Sequence, residues 1–108
     1  MSIVEVIEFE PDFDLDLDED LDEPRRWCVI LHNDDHTPMD FVVMLLREIF
    51  HHTEETAVTL MMDIHLEGAG VAGTYTHEIA EEKCAHATFA SRDNGFPLVI
   101  TIEPEEPE

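Results

Sequence analysis

Residues 27–42 read WCVILHNDDHTPMDFV, and this stretch decides the fold. Trp27–His32 is a short β-rich run that stops at Asn33-Asp34-Asp35. Asn and Asp side chains bond nearby backbone and favour turns, so the run reads as a strand followed by a turn. Thr37-Pro38 then reads as a helix start, with Thr37 as N-cap and Pro38 at the first helical position. Asp40 adds negative charge near that helix's N-terminus. Phe41, Val42, Leu45, Leu46, Ile49 and Phe50 follow at helical spacing and carry the first helix to about His51.

Thr53 opens a second helix, with Glu54 and Glu55 in its first turn. Its apolar positions are Ala57, Leu60, Met61 and Ile64, and it ends near Leu66, before Gly68. Residues 70–75 (GVAGTY) read as a second strand. Thr76 starts a third helix from about His77 to Ser91, but a capping box would need Glu or Gln where Ile79 stands. Asn94-Gly95 ends it. Residues 97–102 (PLVITI) form a third strand. The order β-α-α-β-α-β predicts an α+β domain: a small three-stranded antiparallel sheet covered on one face by three helices. The periodicity supports the elements; the strand pairing is not legible in it.

Charge divides the chain of 108 residues into three parts. Residues 1–24 hold 11 acids and no base, and residues 103–108 hold 4 acids and no base. The middle, 25–102, holds all 5 Lys and Arg, so 15 of the net 22 negative charges sit in the two ends. We read 1–24 as an acidic disordered extension, 25–102 as the folded core and 103–108 as an acidic tail. Residues 2–10 alternate apolar and acidic as a strand would. Asp12, Asp14, Asp16, Asp20 and Glu23 fall on calcium-loop positions. However, Leu17 stands where that loop needs glycine, and prolines flank the segment, so an acidic tail is the better reading.

The imbalance excludes whole classes of function. A nucleic-acid binder needs clustered Lys and Arg, and an anionic membrane surface would repel this chain. No apolar run approaches the roughly 20 residues that span a bilayer. No basic start and apolar stretch marks a secretory leader. Cys28 and Cys84 make no disulfide framework and fit two reduced thiols in the cytoplasm. Seven histidines show no metal-ligand spacing, and we expect no cofactor and no metal. Cys84 and His86, two apart on a helix, face away from each other and make no nucleophile and base.

The stretch from Asn33 to Val42 is chemically informative. Three polar acceptors lie in a turn directly before an apolar helix start. That suggests a mouth with acceptors at its rim and apolar side chains in its wall. A carboxylate and an amide oxygen together suit an ammonium group. An Asx turn with an N-cap explains the same residues without a ligand.

VILHNDDHTPMDFV resembles the signature of ClpS, the adaptor of the bacterial ClpA/ClpC protease system. TLMMDIHLEGAGVAGTYTHEIAEEK, with His65 before a glycine-rich turn, and the closing PLVITIEPEE are similar to the same family. The three blocks run in order over about residues 25–105. The resemblance implies a protein that does no chemistry. ClpS proteins bind substrates exposing a bulky apolar N-terminal residue (Phe, Leu, Tyr or Trp), the N-degron, and deliver them to the Clp AAA+ unfoldase for degradation by ClpP. By matching positions, Asn33, Asp35 and His65 hold the substrate's α-ammonium group and first peptide group. Thr37, Pro38, Met39, Val42, Met61, Ile64 and Leu98 line the side-chain pocket, with Met39 as the gatekeeper against β-branched residues. Glu78 and Lys83, with His36 joining them, meet the unfoldase's N-terminal domain. The acidity of the extension departs from the family. The expected protein is a monomeric cytoplasmic adaptor. The alternatives are a regulator that binds the unfoldase without delivering substrates and, more remotely, a small metalloenzyme using Asp34, Asp35 and His65.

The resemblance agrees with elementary energetics. A free N-terminus is a cation with three donors. Asp35 offers charge, Asn33 an oxygen and neutral His65 a ring nitrogen. Hydrogen bonds to a charged group are worth about 1.5–3 kcal/mol each, and burying a Phe or Leu side chain adds roughly 1.5–3 kcal/mol. After the cost of association, micromolar to submicromolar affinity is expected, since 1 μM corresponds to about −8 kcal/mol. Protonating His65 would remove an acceptor and set cation against cation, so binding should weaken below about pH 6.

Overall fold

The computed structural model describes residues 25–105. The acidic extension, its strand-like alternation and its calcium-loop spacing lie outside the described residues. The order is β1 (Trp27–His32), α1 (Met39–Glu48), α2 (Glu54–Glu67), β2 (Ala69–Tyr75), α3 (His77–Asp93) and β3 (Val99–Pro104).

The three strands form an antiparallel sheet in the order β2-β1-β3. β1 is central because alternate residues bury completely: Val29 and Leu31 are both inaccessible to solvent, while Cys28, Ile30 and His32 on the opposite face stay half-exposed. Val29 and Leu31 lie beneath the helices with Leu45, Leu46, Ala57, Ile64, Ala80, Ala87, Leu98 and Ile100. Among the described residues, no helix covers the other sheet face. The α+β architecture with helices on one face is therefore the one expected.

Each boundary has a local cause. α2 begins at Thr53, whose hydroxyl accepts from Thr56 N–H at 3.2 Å, and stops at Gly68, which takes the left-handed φ of 94°. Such a φ favours glycine because no Cβ meets the carbonyl. α3 begins at Thr76, whose hydroxyl accepts from Ile79 N–H. It closes in a Schellman motif: Gly95 N–H bonds Arg92 O (3.0 Å) and Phe96 N–H bonds Ser91 O (2.8 Å).

Four boundaries differ from the sequence-based expectation, among them the start of β3, which is Val99 and not Pro97. Thr37 does not cap α1. Pro38 holds the N-cap position without a side-chain bond, and the Thr37 hydroxyl instead donates to Asp34 Oδ2 at 2.7 Å. α1 ends at Glu48 rather than near His51. The chain turns through His51 at φ 63°, and His52 N–H reaches back to Leu46 O at 3.0 Å. A left-handed stop without glycine leaves no sequence signal. β3 continues past Ile102, pairing Glu103 with Cys28 and Pro104 with Trp27.

Candidate functional site

The turn after β1 is organised by one carboxylate. Asp34 Oδ1 accepts from His36 N–H (2.7 Å) and Thr37 N–H (2.8 Å), and Oδ2 accepts from the Thr37 hydroxyl (2.7 Å). Partial burial works to raise the pKa of this carboxyl. The Thr37 hydroxyl, the two backbone N–H groups and the nearby His36 ring outweigh it, and the net effect is a lowered pKa. Of the three acceptors in the sequence, Asp34 is thus consumed by the fold. Asn33 and Asp35 are exposed on either side of it and, among the described residues, accept no hydrogen bond through their side chains.

His65 arrives from another element. Asn33 N–H bonds Gly68 O at 2.9 Å, which pins the start of the turn to the end of α2. His65 lies in the last turn of α2 and is exposed. One backbone bond therefore ties the turn that carries Asn33 and Asp35 to the end of α2, whose last turn carries His65. Together these three residues offer a carboxylate, an amide oxygen and an imidazole nitrogen, which suit an ammonium donor.

The apolar residues form two tiers. Val42, Ile64 and Leu98 are buried in the common core, and Met61 packs half-buried against it. Met39 is 44% exposed at the first position of α1, beside half-buried Thr37 and exposed Pro38. Phe41 of α1 meets Phe96 edge-to-face at 4.8 Å, which holds the start of α1 against the segment delivering Leu98. Gly70 lets β2 approach α2: a Cβ there would lie 2.8 Å from Ile64 Cγ1.

The residues expected to meet the unfoldase do not gather in one place. His36 is exposed in the turn after His32, at one end of β1. Glu78 is exposed in the first turn of α3, next to His77, whose ring meets Trp27 at 4.4 Å at the other end of β1. The six residues of β1 separate those ends by roughly 17 Å. Lys83 is half-buried: its Nζ donates to Ile49 O at 2.7 Å and lies 5.7 Å from the Tyr75 ring centroid. Sequence reasoning missed this fastening role, which a surface-lysine pattern does not announce. It also missed His52, whose Nε2 donates to Ala72 O at 2.6 Å on edge strand β2. Among the described residues, no group of three or more His, Cys, Asp and Glu is placed to hold a metal ion.

Comparison with known proteins shows the family. The family described as the ATP-dependent Clp protease adaptor protein ClpS matches residues 22–101. The ATP-dependent Clp protease adapter protein ClpS of Oleidesulfovibrio alaskensis is 49% identical over 92 residues, covering 85% of this chain and 88% of that protein. The protein of the same name from Deinococcus radiodurans is 47% identical over 83 residues, covering 77% of this chain and 74% of its own. Among solved structures, Agrobacterium tumefaciens ClpS2 bound to L-phenylalaninamide superposes with a TM-score of 0.74 at 40% identity, over 77% of this chain and all of that one. The fold and the relatives together define an adaptor of the Clp protease. This chain belongs to the ClpS family of Clp protease adaptors.

Proposed function

We propose that the rim and floor are an N-degron site. The chain is an adaptor that takes polypeptides with a bulky apolar N-terminal residue (Phe, Leu, Tyr or Trp) and delivers them to the Clp unfoldase. Asn33, Asp35 and His65 hold the α-ammonium and the first peptide group. Val42, Ile64 and Leu98 form the floor under the incoming side chain, and Thr37, Pro38, Met39 and Met61 form its walls. The observation that carries this reading is the division of labour in the turn. Asp34 is tied up by three donors, while the two acceptors beside it are free. The relative bound to L-phenylalaninamide, a small molecule with a free α-amino group on an aromatic residue, supports it.

The contact with the N-terminal domain of the unfoldase (ClpA or ClpC type) is assigned to Glu78 and Lys83. His36 joins that contact from the turn after β1, where it is exposed. We take the working form to be a cytoplasmic monomer without catalytic activity. No helix of the described residues is long and apolar enough to cross a membrane.

Fluorescence anisotropy with two labelled peptides tests the reading. One begins with free Phe, and the other is the same peptide acetylated. Micromolar or tighter binding of the free peptide alone is expected, since acetylation removes the charge and two donors. Binding of neither peptide would make the pocket residues structural and favour a regulator that meets the unfoldase without substrate.

A further inference from the structure

We infer that Arg92, in the last turn of α3, is a positioning residue for the side-chain pocket and sets how strictly it discriminates among N-terminal residues. The inference rests on the N-degron reading above. Arg92 Nη1 donates to two carbonyls of the segment between α3 and β3: Phe96 O at 3.1 Å and Leu98 O at 2.7 Å. That segment supplies the Leu98 side chain, which is 1% exposed, to the floor.

The segment has few other fastenings. The Schellman bonds hold it as far as Phe96 N–H, and the Phe96 ring rests edge-to-face on Phe41 of α1. Beyond Phe96, Pro97 has no N–H to donate. β3 pairing begins only at Val99, opposite His32. Two residues, Pro97 and Leu98, therefore bridge a helix cap and a strand. Arg92 spans that bridge with one guanidinium nitrogen, fixing Leu98 from behind. Its side chain is exposed, and its hydrogen bonds go to Phe96 O and Leu98 O. Arg92 thus acts through the Phe96–Leu98 segment that it fastens. Releasing it lets the floor recede, which weakens the fit of a residue that fills the pocket and relaxes the rejection of one that does not.

The test uses the full chain with Arg92→Met, which keeps the aliphatic stem and removes the donors. Kd values are measured for peptides beginning with free Phe, free Val and acetylated Phe, well below the melting temperature. Loss of charge-assisted bonds should weaken Phe binding about 5- to 10-fold. The Val-to-Phe ratio of Kd should shrink by about threefold or more, while the acetylated-to-free ratio stays unchanged. A group needed only for stability would lower the melting temperature and leave both ratios where they are, and that result would overturn the inference. Arg92→Gln, too short to reach Leu98 O, should shrink the Val-to-Phe ratio in the same way. It decides the matter if the Met variant does not fold. Failure of the wild-type chain to prefer the free Phe peptide would instead overturn the N-degron reading, and this inference with it.

Discussion

Asp34 and Asp35 are adjacent, identical in chemistry and opposite in role. The sequence shows three acceptors in a row, but not which of them the backbone claims. The claim is geometric: a carboxylate at Asp34 reaches the N–H groups two and three residues on, whereas Asp35 is turned out of that loop. Asp34→Asn should lower stability by about 1 kcal/mol at neutral pH, the usual worth of such bonds at a partly exposed site. The sign with pH follows from the lowered pKa. The stabilisation is fully present above the unfolded carboxyl's ordinary value near 3.8 and is lost as pH falls through the lower folded value. Urea unfolding of wild type and variant should show a gap that is constant above the ordinary carboxyl value near 3.8 and closes as pH falls below it. A gap that persists in acid would deny the carboxylate this role. Asp35→Ala should leave unfolding unchanged and weaken free-amine peptide binding by about tenfold or more, the loss of one charged pair.

The helices and strands were largely legible because their apolar periods are plain. Thr53 and Gly68 mark α2 as strongly as any residues in the chain. What was not legible depends on distant partners. The order β2-β1-β3 cannot be read from three short strands of similar composition. The end of α1 hides in His51, and the strand character of Glu103 depends on pairing with Cys28. Gly70 makes the same point. It looks like turn glue but marks where β2 presses on α2. Gly70→Ala should cost about 1–3 kcal/mol as overpacking. It should also weaken N-degron binding, because the atom displaced belongs to Ile64 in the pocket floor. Thermal unfolding and anisotropy on one sample check both; a variant with wild-type values in both would mean that β2 can retreat freely. Lys83 presents the reverse case, a residue singled out for a partner that the fold also employs. Lys83→Met should lower stability by about 1–2 kcal/mol through the lost bond to Ile49 O. Glu78→Lys, on an exposed side chain without such a bond, should leave stability alone and weaken unfoldase binding. If Lys83→Met unfolds like wild type, the fastening of α3 to the end of α1 is unimportant.

On the scale of the whole chain, the scarce cations are placed for structure. Arg26 donates to Thr74 O, Lys83 to Ile49 O, and Arg92 to Phe96 O and Leu98 O. Three of the five Lys and Arg are thus drawn onto backbone carbonyls. The remaining field is strongly negative, and 11 of its acids precede the core in residues 1–24. Such a field repels itself and attracts cations. A basic surface is the partner chemistry that such an extension suits. Removing residues 2–20 deletes 9 acids and none of the proposed pocket. Peptide affinity should therefore be nearly unchanged. Degradation of a reporter beginning with Phe should slow, and its dependence on salt should flatten. For the full chain, raising salt above about 0.1 M shortens the screening length below roughly 10 Å and should slow delivery steadily. The comparison is made in a reconstituted unfoldase-protease assay, with the truncated and full chains at equal peptide occupancy. If the truncated chain delivers at the full rate, with the same salt dependence, the acids serve solubility only and the pocket and α3 contacts suffice for delivery.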